Sequence, residues 1–187
     1  MQKINNVEIK KMTTNEPLPA GGYVAKIMNA EEVKYSWGSQ LVVSFDISEG
    51  EYKDFFAAQY RANLNEDKKW KGVYRLRIPA EDDRYYESEC RVFGSFCACV
   101  EESNSSYHWN WDEKTLKGKA VGVLFRDKEW EMNGRTGMTT ECCATVSVDD
   151  IKNNRFKTPK PKLLAKAAAQ PTRVDLSDVE DEDDLPF

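Results

Sequence analysis

Histidine is almost missing from this sequence: His108 is the only one in 187 residues. A catalytic or metal-binding constellation built on imidazole therefore has a single member to draw on. Cysteine is scarce and poorly spaced. Cys97 and Cys99 are two apart, Cys142 and Cys143 are adjacent, and Cys90 stands by itself. None of these pairs has zinc-ribbon spacing, and an odd number fits a reducing compartment better than a disulfide framework. The five read as small buried hydrophobes.

Long hydrophobic runs are absent too. No stretch approaches the roughly 20 apolar residues that span a bilayer, and the start, MQKINNVEIKKMTTNEP, holds no apolar run of signal-peptide length. A cytoplasmic protein with no membrane partner is expected. Neither a GxSxG element nor a GxxxxGK[ST] loop occurs. Glu81, Asp82 and Asp83 supply carboxylates, but magnesium needs carboxylates fixed by a scaffold. The expectation is a protein that is not an enzyme and uses no metal or cofactor.

What is present is a core-forming composition with segregated charge. Hydrophobic residues make up 40% and aromatics 11%, enough for one packed domain. The net charge of −5 divides into three parts. Residues 1–151 carry 20 basic and 25 acidic side chains; residues 152–173 carry seven bases and no acid; residues 174–187 carry seven acids and no base. The chain reads as a mildly acidic body, a basic strap and an acidic tail. An acidic body weighs against nucleic acid, although the distribution of charge matters more than its sum.

Periodicity organises the body. Tyr23 to Met28 reads as a strand entered from the Gly21-Gly22 turn. From Gln40 to Ser48, Leu41, Val43, Phe45 and Ile47 alternate with polar residues, the period of a half-buried strand. Glu49-Gly50-Glu51 signals a turn into a third strand over Tyr52 to Ala58. Val73 to Ile78 alternates again, with Tyr74, Leu76 and Ile78 on one face and Arg75 and Arg77 on the other; it is either a strand of its own or the third strand continued after the insertion ANLNEDKKWKG. Cys90, Phe93, Cys97 and Val100 recur at three and four, predicting a helix from Tyr86 to Glu102. Lys119 to Arg126 and Glu129 to Met132 are extended, Asn133-Gly134 is the strongest turn dipeptide, and Glu141 to Val148 is the last strand.

Strand, strand, strand, helix, strand, strand is the order of an OB-fold, a five-stranded barrel that is all-β apart from one helix. A β-sandwich with one helix is the competing architecture. The folded domain is expected over residues 1–156. A Pro/Lys/Ala linker over 157–174 and an acidic segment over 175–187 follow, together a disordered C-terminal tail.

Single-strand binders pair a cationic groove with rings on which bases stack. Residues 53–77 have that composition. The cations are Lys53, Arg61, Lys68, Lys69, Lys71, Arg75 and Arg77, against three acids. Phe55, Tyr60 and Trp70 are interleaved with them. Trp70 lies within KKWKG, where burial would drag lysines inward, so it is expected to stand exposed. Arg126, Lys128, Trp130 and Arg135 fall on the hairpin between strands 4 and 5, and Tyr35 and Trp37 between strands 1 and 2; both flank the same groove in an OB-fold. Phe45, Phe93, Phe96 and Phe125 are expected in the core, and Trp109 and Trp111 are better read as structural than as stacking rings.

The last residues are the most specific. EDEDDLPF resembles the C-terminal tip of bacterial single-stranded-DNA-binding proteins: several acids, an aliphatic residue, proline and a closing phenylalanine. Asp181, Glu182, Asp183, Asp184, Leu185, Pro186 and Phe187 match it residue by residue. The body looks like the diverged versions carried by temperate phages. The resemblance implies an OB-fold that coats single-stranded DNA in replication, recombination and repair, in a bacterial or phage-infected cell. It also implies a tip that docks onto partner proteins of those processes, such as helicases, primase and exonucleases. The tip's chemistry suits an apolar pocket with a basic rim. The bacterial tetramer does not carry over to so diverged a body, which leaves a homo-oligomer open. The alternative is an adaptor of a recombination or replication complex whose body binds protein rather than DNA.

Overall fold

The computed structural model describes residues 17–164. Strand β1 (Gly21–Tyr35) pairs antiparallel with β2 (Gly38–Ile47) across the two-residue turn Ser36-Trp37. Helix α1 (Phe55–Ala62), strand β3 (Val73–Arg77) and the long helix α2 (Tyr86–Ser103) follow. A single 3₁₀ turn, Glu113–Leu116, leads into the longest hairpin, β4 (Ala120–Met132) with β5 (Arg135–Val146), and α3 (Val148–Lys152) closes the order. The five strands form one antiparallel sheet in the order β3-β2-β1-β4-β5. Among the described residues no ladder joins β3 to β5, so the sheet is open where the expected barrel would close.

Alternation on β2 falls as the sequence requires: Leu41, Val43, Phe45 and Ile47 are all buried. Phe45 and Phe125 meet edge-on, and Phe56 packs against both. Phe93, Phe96 and Val100 bring one face of α2 onto the same core. Burial of each such phenylalanine contributes about 1.5–3 kcal/mol. The β4–β5 turn is Asn133-Gly134, both with positive φ (52° and 71°), the conformation that makes this dipeptide a hairpin turn. Ile151 of α3 lies against Gly22 and Gly122 and covers the outer face of β1 and β4.

Three expectations need correction. Residues Tyr52 to Ala58 are not a strand; from Phe55 the chain is helical, so the described residues hold three α-helices rather than one. The cause is Asp46 at the end of β2. Its Oδ1 accepts from the Phe56 N–H and its Oδ2 from the Ala57 N–H, each at 2.9 Å, satisfying the free donors of a helix start. Second, β5 ends at Val146 and Val148 opens α3, where the Ser147 side chain accepts from the Asp150 N–H.

Third, order does not stop at 156. The Lys162 N–H donates to Asp127 O (2.8 Å) and Lys162 O accepts from the Glu129 N–H (2.9 Å), a parallel bridge along β4. β1 pairs with β4 only as far as Phe125, so the edge beyond it is free to take this segment. The rest of the predicted linker and the tip at 175–187 lie outside the described residues. Among the described residues no helix is long and apolar enough to cross a membrane.

Candidate nucleic-acid interface

The open side of the sheet is a cleft of about 730 Å³ between β3 and the β4–β5 hairpin, with α1 at one end. Arg75 of β3 and Lys71, just before that strand, form one wall. Arg126, Lys128 and Trp130 form the opposite wall. They alternate along β4 and so share one face, while Asp127, Glu129 and Glu131 take the other. The stretch RDKEWEM is thus divided by the pleat into a cationic face and an acidic one.

Glu141 is the cross-strand partner of Arg126. Its Oε1 accepts from Arg126 Nε at 3.0 Å and Nη2 at 2.6 Å, and its Oε2 from Lys128 Nζ at 2.7 Å. Burial alone would raise the Glu141 pKa. Hydrogen bonds and charge from Lys128 and Arg126 outweigh that and hold it below its ordinary value. Lys71 and Arg75 are exposed and form no ion pair among the described residues.

Trp130 is 37% exposed and lies over Gly137, its cross-strand partner. A Cβ at 137 would come within 2.7 Å of the Trp130 ring, so the missing side chain is what lets the indole lie there. Phe55 lines the cleft while packing against the core. Burial raises the thiol pKa of Cys142 and Cys143, which also line it; neither is a poised nucleophile.

Six of the sixteen predicted contact residues therefore converge: Phe55, Lys71, Arg75, Arg126, Lys128 and Trp130. Tyr60 and Lys69 line a smaller adjoining hollow of about 360 Å³ that shares Lys71. The ammonium of Lys68 sits over the Tyr60 ring, 4.7 Å from its centre.

Trp70 is the clearest departure. Instead of standing out, the ring is half-buried against the core, near Phe56 and Tyr60. Its N–H donates to Phe45 O (3.0 Å) and Gly72 O (3.1 Å). The neighbouring lysines do not follow it inward, because long cationic chains reach solvent from a buried stem.

Tyr35 and Trp37 stack on each other at the β1–β2 turn, with ring centres 5.0 Å apart, and the Arg77 guanidinium lies 5.0 Å from the Trp37 ring. Arg77 is also tied to Asp83 and Glu89, at 2.9 and 3.0 Å. This group does not line the cleft. Lys53, Arg61 and Arg135 are exposed away from it, Arg135 at the hairpin tip. Trp109 packs against Phe93, whereas Trp111 lies parallel to Phe93 and is 77% exposed.

Sequence reading missed Thr139, Thr140 and Glu141, which line the cleft from β5, Thr139 and Glu141 on the same face as Lys128 and Arg126. A signal existed: an acid placed symmetrically opposite Arg126 across the Asn133-Gly134 turn is predictable once the hairpin register is set. The chain matches no protein-family model and no curated protein, so geometry and chemistry alone bear on what the cleft does.

Proposed function

We propose that this protein binds single-stranded DNA without strong sequence preference, through the cleft between β3 and the β4–β5 hairpin. The observation that carries the proposal is convergence. Lys71, Arg75, Arg126 and Lys128 meet around one groove with Trp130 beside them, on a body whose net charge is negative. Phosphates need cations along a track and bases need an accessible ring, and the cleft supplies both.

The sheet is read as an OB-fold left open between β3 and β5. Its order, with β1 central and a helix between β3 and β4, supports that reading. The protein acts by binding rather than by catalysis. The matching tip at 181–187 would recruit replication, recombination and repair proteins, as the resemblance to bacterial single-strand binders implies.

One observation favours the adaptor reading. Trp111, exposed and backed by Phe93, is the kind of ring that anchors a protein interface. Titrating the full chain with a dT oligonucleotide, following tryptophan emission at two salt concentrations, separates the two. Quenching that weakens with salt supports DNA binding; unchanged emission supports the adaptor.

A further inference from the structure

Among the described residues that line the cleft, Glu141 is the single acid. A guanidinium and an ammonium close on its two oxygens, Arg126 with two nitrogens on Oε1 and Lys128 on Oε2. A phosphodiester presents the same pattern: two terminal oxygens sharing one negative charge, matched by a planar guanidinium fork and a point-like ammonium. The two walls differ in this respect. The wall at β3 offers Lys71 and Arg75 unpaired among the described residues, whereas the cations of the β4 wall are already occupied.

The occupying carboxylate is exchangeable by its surroundings. The side chains of Arg126, Lys128 and Glu141 are 30%, 38% and 25% exposed, so water reaches the pair and weakens it. Glu141 needs no backbone movement to leave; rotation about its side-chain torsions suffices.

We propose that Arg126 and Lys128 form a phosphodiester subsite that the Glu141 carboxylate fills in the free protein, and that a backbone phosphate of bound single-stranded DNA displaces it. This rests on the DNA-binding reading. It adds a built-in competitor that lowers affinity for stray anions and gives way to a ligand held at several points.

The test uses the full chain, a fluorescein-labelled dT oligonucleotide and anisotropy over a series of salt concentrations. Glu141→Gln keeps the shape and removes the charge. It should bind several-fold more tightly at low salt, with a steeper salt dependence. In an Arg126→Ala/Lys128→Ala background that gain should vanish, since the competitor then has nothing to block. The cation double variant itself should lose two contacts and lower the log–log salt slope by about 1.4, at about 0.7 per phosphate.

A gain from Glu141→Gln that persists without the two cations would mean general charge repulsion and would overturn the subsite. So would weaker binding by Glu141→Gln, which would make Glu141 a clamp that presets the cations. If Lys71→Ala/Arg75→Ala weakens binding while neither change at the β4 wall matters, DNA binding stands and the subsite falls. If the unaltered chain binds no oligonucleotide, both fall.

Discussion

The side chain of Asp46, at the end of β2, accepts the backbone N–H of Phe56, ten residues further on, at 2.9 Å. That contact and its companion to Ala57 fix where α1 begins and seat Phe56 between Phe45 and Phe125. Asp46→Ala would leave these donors unpaired in a buried place. The expected loss is roughly 2–3 kcal/mol, from a lost helix cap with charge-assisted bonds. Urea unfolding measures it, and Asp46→Asn should recover part of the loss by keeping one acceptor.

Trp130 and Gly137 give a functional prediction. Adding a methyl group at Gly137→Ala pushes on the indole ring rather than on backbone. Stability should change by less than about 1 kcal/mol, because the ring is partly exposed and can move. Oligonucleotide affinity should fall several-fold as the ring is displaced from the cleft wall. Trp130→Ala should fall further, by roughly 1–3 kcal/mol for one stacked base. Anisotropy titration beside thermal unfolding checks both.

Residue 162 tests whether the chain beyond 156 is held. Lys162→Pro removes the N–H that reaches Asp127 O. Loss of that bond should cost about 1 kcal/mol locally. It should also speed amide hydrogen exchange at Glu129, whose N–H donates to Lys162 O. Unchanged protection at Glu129 would mean the bridge contributes nothing.

Acid stability bears on Glu141. Its folded pKa lies below the ordinary 4.5. A depressed carboxyl adds stability that is fully present above the unfolded value and is lost as pH falls through the folded one. Glu141→Gln should therefore flatten the fall in stability below about pH 4.5, relative to the unaltered chain. Urea midpoints measured between neutral pH and pH 3 would reveal it.

Much of the frame was legible because it is written in local periods. Leu41, Val43, Phe45 and Ile47 declare β2; Tyr74 and Leu76 declare β3; Asn133-Gly134 marks the hairpin, and the three-and-four spacing through Phe93 and Val100 gives α2. Illegible were features set by distant partners. Tyr52 to Ala58 reads as strand from its aromatics and the turn before it, whereas the Asp46 side chain, from another element, caps the start of a helix there.

β1 runs on to Tyr35 past a bulge at Met28, which shifts the alternation and hides the strand within NAEEVKY. In the site, the cations were identifiable by type, but their grouping was not. Nothing local separates Lys71 and Arg75, which meet the hairpin across the cleft, from Lys53 and Arg61, which do not. Trp70 misled because its lysine neighbours point to solvent from a half-buried stretch.

The central claim is that the cleft holds single-stranded DNA by its phosphates. The most direct measurement compares the unaltered chain with Lys71→Ala/Arg75→Ala, two exposed and unpaired cations whose loss disturbs no ion pair among the described residues. Affinity for a labelled dT oligonucleotide is followed across a salt series. The prediction is a loss of about tenfold or more at low salt, with the log–log slope reduced by about 1.4 for two phosphate contacts. Equal affinity and equal slope for the two proteins, or no binding by the unaltered chain, would contradict it.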